Sequence, residues 1–182
     1  MRIFVLDSAM TEGQIEKARA ARDAGRFEEA VAGYQAVLLE ANDDLVAMSE
    51  LADLLAAAGR LNEAAICLAR LLELEPGRAE AWLRLGLVRL GQERVAEAQR
   101  CFERCLVLEP ANPVGHFHLA GLALRDGRLA EAVAHYGHSL AAAPGLPEAH
   151  FNLAIALTGL GRAGEAIEAY QAALAAAPAW AE

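Results

Sequence analysis

The feature that most limits what this chain can fold into is a six-residue pattern, Gly-Arg-apolar-x-Glu-Ala, that returns every 34 residues. It reads Gly25-Arg26-Phe27-Glu28-Glu29-Ala30, Gly59-Arg60-Leu61-Asn62-Glu63-Ala64, Gly127-Arg128-Leu129-Ala130-Glu131-Ala132 and Gly161-Arg162-Ala163-Gly164-Glu165-Ala166, with Glu93-Arg94-Val95-Ala96-Glu97-Ala98 as the imperfect copy. The starts fall at 25, 59, 93, 127 and 161 without an insertion. A fixed period of this size marks an array of supersecondary units, each unable to bury its apolar face without a neighbour. The expected organisation is an N-terminal extension at 1–10, five units at 11–44, 45–78, 79–112, 113–146 and 147–180, and the start of a sixth at 181–182.

Within a unit the apolar spacing is helical twice over. In the second, Ala47, Leu51, Leu54, Leu55 and Ala58 share one face; after Gly59 a new face runs through Leu61, Ala64, Ala65, Leu68, Leu71 and Leu72. Each unit is therefore expected to be a helical hairpin and the fold all-α. The hexad glycines suit the left-handed conformation that ends a first helix, whereas Glu93, with Gly91 two residues earlier, predicts a differently shaped third turn. Small residues recur at Ala18, Ala52, Gly86, Ala120 and Ala154, and again at Ala30, Ala64, Ala98, Ala132 and Ala166, which suits close helix approach. Pro76, Pro110, Pro144 and Pro178 close the units. Ahead of the array, Ile3–Leu6 reads as a short extended apolar strip, and Thr11 with Gln14 as a capping box opening the first helix.

Charge and cysteine use exclude several functions. A net charge of −9 and a pI near 5.1 lack the footprint of a nucleic-acid binder. The N-terminal apolar run of four is too short for a signal-peptide core and no run is long enough to span a bilayer, so no membrane insertion and a cytoplasmic location are expected. Cys67, Cys101 and Cys105 show no paired spacing and suit a reducing compartment.

Catalytic constellations do not assemble. Ser8, Ser49, Ser139, Thr11 and Thr158 have no histidine in a useful relation, since Ser139 and its neighbour His138 would point in different directions on a helix. Cys101 and Cys105, with Cys67 or His135, read as core fillers before metal ligands. His116 and His150 hold equivalent places, shared by Trp82 and Met48, and read as packing residues with a polar tip; His118 falls on another face. No enzyme activity, no cofactor and no metal are expected.

The pattern resembles the tetratricopeptide repeat family through Trp82, Leu85, Gly86, Ala98, Phe102 and Pro110 in the third unit, and Leu153, Ala154, Gly161, Ala166, Tyr170 and Pro178 in the fifth. The resemblance implies a right-handed superhelix, an α-solenoid, whose first helices line a concave groove, and it implies binding. Two binding signatures of the family fail: a carboxylate clamp would need groove lysines, where only Lys17 exists, and an asparagine ladder would need asparagine at Glu16, Glu50, Arg84, His118 and Asn152, where only Asn152 complies.

The expected function is a scaffold binding a peptide or protein segment, either an amphipathic helix or an extended strand; the alternative is the N-terminal array of a longer group-transfer enzyme such as a glycosyltransferase. With first helices inward, the leading units offer a charged lining (Glu12, Glu16, Arg19, Arg22, Asp23, Glu50 and Asp53, with Ile15), and units three to five offer Leu83, Leu87, Leu90, Phe117, Leu124, Phe151 and Ile155 with Arg84, His118, Arg125 and Asn152 among them. That apolar floor is the expected peptide site, with Phe117 and Phe151 as anchors and an acidic ligand residue meeting Arg84 or Arg125. Self-association is expected through an open C-terminal end, around Ile167 and Leu174, or through the Ile3–Leu6 strip, for which a loose tail is the competing reading.

Overall fold

The computed structural model describes residues 2–177 and 179, with side chains from Met10 onward. Among the described residues the regular elements are helices: α1 (Arg2–Asp23), α2 (Phe27–Glu40), α3 (Leu45–Ala57), α4 (Leu61–Leu74), α5 (Ala79–Gly91), α6 (Val95–Leu108), α7 (Pro113–Arg125), α8 (Leu129–Ala142), α9 (Pro147–Gly159) and α10 (Ala163–Ala176). This is the all-α solenoid class. The chain packs as two compact units, residues 1–98 and 99–182.

The hexad builds every hairpin turn the same way. Gly25, Gly59, Gly127 and Gly161 have φ between 70 and 75°. The following arginine N–H reaches back five residues, Arg26 to the Ala21 carbonyl at 2.8 Å and Arg162 to that of Leu157 at 2.9 Å, the longer bond of a Schellman end. The third turn is not shaped differently, as its sequence suggested. Glu93 takes φ 61°, and Arg94 N–H donates to the Arg89 carbonyl at 2.8 Å, so the same turn forms around a strained non-glycine residue. The hexad arginine then pairs with the glutamate three residues on: Arg60 with Glu63 and Arg94 with Glu97 at 2.6 Å, Arg26 with Glu29 at 2.8 Å.

The other ends use separate devices. Asp44 Oδ1 accepts from Ala47 N–H at 2.8 Å and Asn112 Oδ1 from Gly115 N–H at 2.9 Å, while Pro113 and Pro147 occupy first turns where no N–H is needed. Trp82 Nε1–H, His116 Nε2–H and His150 Nε2–H each donate to the carbonyl six residues back, of Pro76, Pro110 and Pro144, all at 2.9 Å. One ring position thus ties these three inter-hairpin loops to the helices that follow them, while Met48 holds the same place on α3.

The N-terminus departs from expectation. The backbone over Ile3–Leu6 is helical, and α1 runs from Arg2 through Thr11, so no capping box opens a helix there. Nothing between Arg2 and Glu12 breaks a helix, and extending one is far easier than nucleating another. The side chains of the strip, and the start of a sixth unit at 181–182, lie outside the described residues.

Both series of small residues are buried: Ala18, Ala52, Gly86, Ala120 and Ala154 on first helices, Ala30, Ala64, Ala98, Ala132 and Ala166 on second helices. In unit 1 the large core residues are Tyr34, Val37, Leu55, Leu68 and Leu71. In unit 2, Ala120, Ala123, Ala132, Tyr136, Ala149 and Ala156 form a cluster flanked by Phe117, Leu124, Val133, Leu140, Leu146 and Leu153.

Candidate functional site

One position per hairpin, Glu50, Arg84, His118 and Asn152, recurs on the first helices at the 34-residue step, and each meets a different neighbour. In unit 1, Glu50 accepts from Arg19 Nε at 2.9 Å and from the Tyr34 hydroxyl at 2.8 Å, and also meets the Arg19 Nη2. These bonds, the Arg19 guanidinium first, hold the Glu50 carboxyl below the usual carboxylate range; burial, then the bond to Glu50, pushes the Tyr34 phenol up to about 12. Arg84 donates to Ser49 Oγ at 2.8 Å and pairs with Asp53 at 2.9 Å and Glu80 at 2.5 Å.

Arg84 was expected to meet an acidic ligand residue. Two carboxylates, Asp53 and Glu80, already lie against its guanidinium, and Arg19, Arg22 and Glu50 of the expected charged lining engage one another. Ile15, expected on that lining, is buried. Leu83 and Leu90 are half-buried, and Leu87 is exposed.

Unit 2 is different in kind. The His118 ring stacks on Phe102 with centroids 5.0 Å apart, and burial lowers its pKa, so the neutral ring is favoured. Asn152 faces the fully buried Tyr136 hydroxyl, which makes no well-formed hydrogen bond; burial pushes that phenol up to about 12. Beside His118 lies an open recess of about 340 Å³ lined by Val114, Phe117, His118, Leu146 and Glu148. Its wall is almost wholly apolar except at Glu148, which among the described residues has no cation within ion-pairing distance.

The two expected anchors play unequal parts. Phe117 is half-buried, edge-on to Tyr136 with centroids 5.9 Å apart, and belongs to the wall of the recess and the flank of the core. Phe151, one repeat later, is 43% exposed and edge-on to Tyr170 at 5.6 Å. Ile155, four residues further along α9, is exposed, and Leu124 is half-buried against the core. Arg125 is exposed, its Nε 3.6 Å from Asp126, and remains a cation a ligand could reach.

Sequence reasoning passed over Val114, Leu146 and Glu148. One signal was there: Leu146 is the residue before α9, at the position where Asp44 and Asn112 cap α3 and α7 with polar side chains. An apolar residue in a capping place forgoes a hydrogen bond, and here it lines the recess.

His116, His118 and His150, from two adjacent repeats, do not turn toward one another. His116 turns to His135 and His138, His118 to Phe102, and His150 to the Pro144 carbonyl. Cys67 and Cys105 thiols are pushed up by burial, the latter to about 11, which keeps them protonated. Among the described residues no helix is long and apolar enough to cross a membrane.

Tetratricopeptide repeat models match residues 21–85, 83–147 and 123–182. The chain belongs to the tetratricopeptide repeat family. Among solved structures with this tetratricopeptide repeat fold, a crystal structure of MamA is 22% identical, with 91% of each chain covered and a TM-score of 0.83. A MamA segment from Desulfovibrio magneticus is 17% identical over 93% of this chain and 96% of that one, with a TM-score of 0.82. YrrB, described as a tetratricopeptide repeat protein with an unusual peptide-binding site, is 19% identical over 91% of this chain and 85% of that one, with a TM-score of 0.75. At these identities the likeness is one of fold. No curated protein matches the chain in sequence.

Proposed function

We propose that the chain is a protein-interaction module, and that unit 2 holds a partner segment by seating an apolar side chain in the recess between Val114, Phe117 and Leu146. The observation that carries this reading is the recess itself, an open apolar wall with Glu148 at its rim, a carboxylate unpaired among the described residues; Phe151 and Ile155 are exposed further along α9. An exposed apolar surface edged by polar groups is the signature of a binding site. His118 adds a hydrogen-bonding ring to the wall of the recess.

The polarity of the ligand follows from Glu148. A segment with a lysine or arginine close to its apolar anchor would satisfy that carboxylate, in place of the acidic residue that Arg84 was expected to meet. YrrB, with the same fold and an unusual peptide-binding site, is consistent with this use of the fold. Binding is preferred over catalysis on chemical grounds as well. Ser139 is fully buried, Ser49 Oγ is engaged by Arg84, and the Cys67 and Cys105 thiols are held protonated.

The test is selection of segments from a displayed peptide library against the intact chain. Selected segments are expected to share an apolar residue within a few positions of a lysine or arginine. Val114, at the start of α7 and exposed, can be changed to arginine without disturbing the core; Val114→Arg should abolish capture while the helical circular-dichroism signal is kept. Capture undiminished by Val114→Arg and by Phe151→Ala would place the binding surface elsewhere.

A further inference from the structure

Two histidines on neighbouring helices of one hairpin meet nitrogen to nitrogen. His116 Nδ1, on α7, lies 2.9 Å from His135 Nδ1, on α8. The other nitrogen of His116 is 2.9 Å from the Pro110 carbonyl oxygen, which can only accept, so His116 Nε2 carries hydrogen. The neutral His116 ring therefore presents a bare Nδ1, and the bridging hydrogen must come from His135 Nδ1. Both tautomers are fixed by one carbonyl.

This arrangement has room for only part of the protons that two free imidazoles would take. A first extra proton can go to His135 Nε2 and leave the bridge intact. A second has only His116 Nδ1 left, which would set two N–H groups against each other at hydrogen-bond distance. His116 is 7% exposed and cannot turn out to water while it holds Pro110. The charges that reach His135 are Glu131, which favours the charged ring but is itself paired with Arg128 at 2.6 Å, and Arg128 and His138, which disfavour it; His138 also stacks on His116 with centroids 4.9 Å apart, while α6 meets α7 here through Leu106 beside Gly115, and α9 adds Ala149 and Ala156 to the core of this hairpin.

We propose that His116 and His135 form a proton-limited pair that ties α7 to α8 at neutral pH and loosens that hairpin as the solution is acidified. The sign follows from proton counting. Unfolded, each ring binds a proton near pH 6.5; folded, the pair binds fewer, so stability falls as pH drops below that value. The lowered pKa of His135, caused first by burial and then by His116, agrees in direction.

The chain carries its own control. In the next hairpin His150 holds the Pro144 carbonyl in the same way, but Ala169 stands where His135 stands in this one. His135→Ala therefore reproduces a hairpin the protein already builds. Urea unfolding of the wild type and His135→Ala at pH 7.5 and 5.5 should show a smaller loss in the variant, by up to about tenfold in the unfolding constant per pH unit for each proton excluded. Long-range ¹⁵N–¹H spectra of the wild type, which do not depend on the variant folding, should show His116 as the Nε2–H and His135 as the Nδ1–H tautomer at pH 7.5. Equal pH slopes in the two proteins, or an Nε2–H tautomer at His135, would overturn the proposal.

Discussion

Glu93 is the one described residue without a glycine's freedom that adopts a positive φ, and four sister turns show what the position prefers. A left-handed conformation costs a side-chain-bearing residue about 1–2 kcal/mol, part of which glycine returns through its greater freedom when unfolded. Glu93→Gly should therefore raise stability by about 0.5–1 kcal/mol, read as a higher urea midpoint at unchanged slope. The sequence showed the missing glycine but not the outcome, because the hydrogen bond from Arg94 back to Arg89 and the packing of both helices enforce the turn. Glu50 is a second residue whose worth is local. Its carboxylate accepts from Arg19 and Tyr34, so Glu50→Gln should cost about 1–3 kcal/mol at pH 7, as loss of charged hydrogen bonds does. Because the folded carboxyl has a depressed pKa, its contribution is complete above the ordinary glutamate value and fades as pH falls through the folded one. Melting curves of the two proteins should differ at pH 7 and converge in strong acid.

The helices themselves were legible wherever the 34-residue period and the apolar spacing agreed, since both encode the same burial. Legibility failed at α1, where a capping-box pattern at Thr11 and Gln14 looked like a start; such a pattern permits a helix end without requiring one, and the chain upstream contains nothing that stops a helix. Side-chain partners across helices were less legible still. No spacing reveals that Arg84 is held by Asp53, 31 positions away, and the apolar residue at the capping place of α9 hints at Leu146 without revealing the recess it lines. Close approach between elements, by contrast, is tested at Gly33. A Cβ built there would lie 2.9 Å from Ala18 Cβ and 3.4 Å from its Cα, and a buried alanine has no rotamer to yield. The other hairpins hold Cys67, Cys101, His135 and Ala169 at this place, so the crowding belongs to α1 and α2. Gly33→Val should destabilise the protein by about 1–3 kcal/mol through overpacking, measured by urea unfolding. The same change at Gly137, where a Cβ meets nothing within 4 Å, should be close to neutral by comparison.

At the scale of the whole molecule the acidic balance works together with the proposed recess. A net charge of −9 gives the chain a field that repels nucleic acid and draws in basic segments, and such a field acts mainly on the rate of encounter. Glu148, at the rim of the recess, acts at short range once a segment is seated. The two contributions can be separated, because salt screens the first over about 10 Å at 0.1 M and leaves a contact pair less affected. For a segment selected as described above, raising ionic strength should slow association severalfold and change dissociation little. Glu148→Gln lowers the net negative charge by only one, so the salt dependence of association should stay nearly as steep, while dissociation should quicken by about twofold to fivefold, the loss expected for one exposed ion pair. Surface-plasmon-resonance traces of the wild type and Glu148→Gln across a salt series would resolve both rates. Dissociation unchanged by Glu148→Gln would mean that no cation of the ligand sits at this rim, and the basic character assigned to the partner would fall with it.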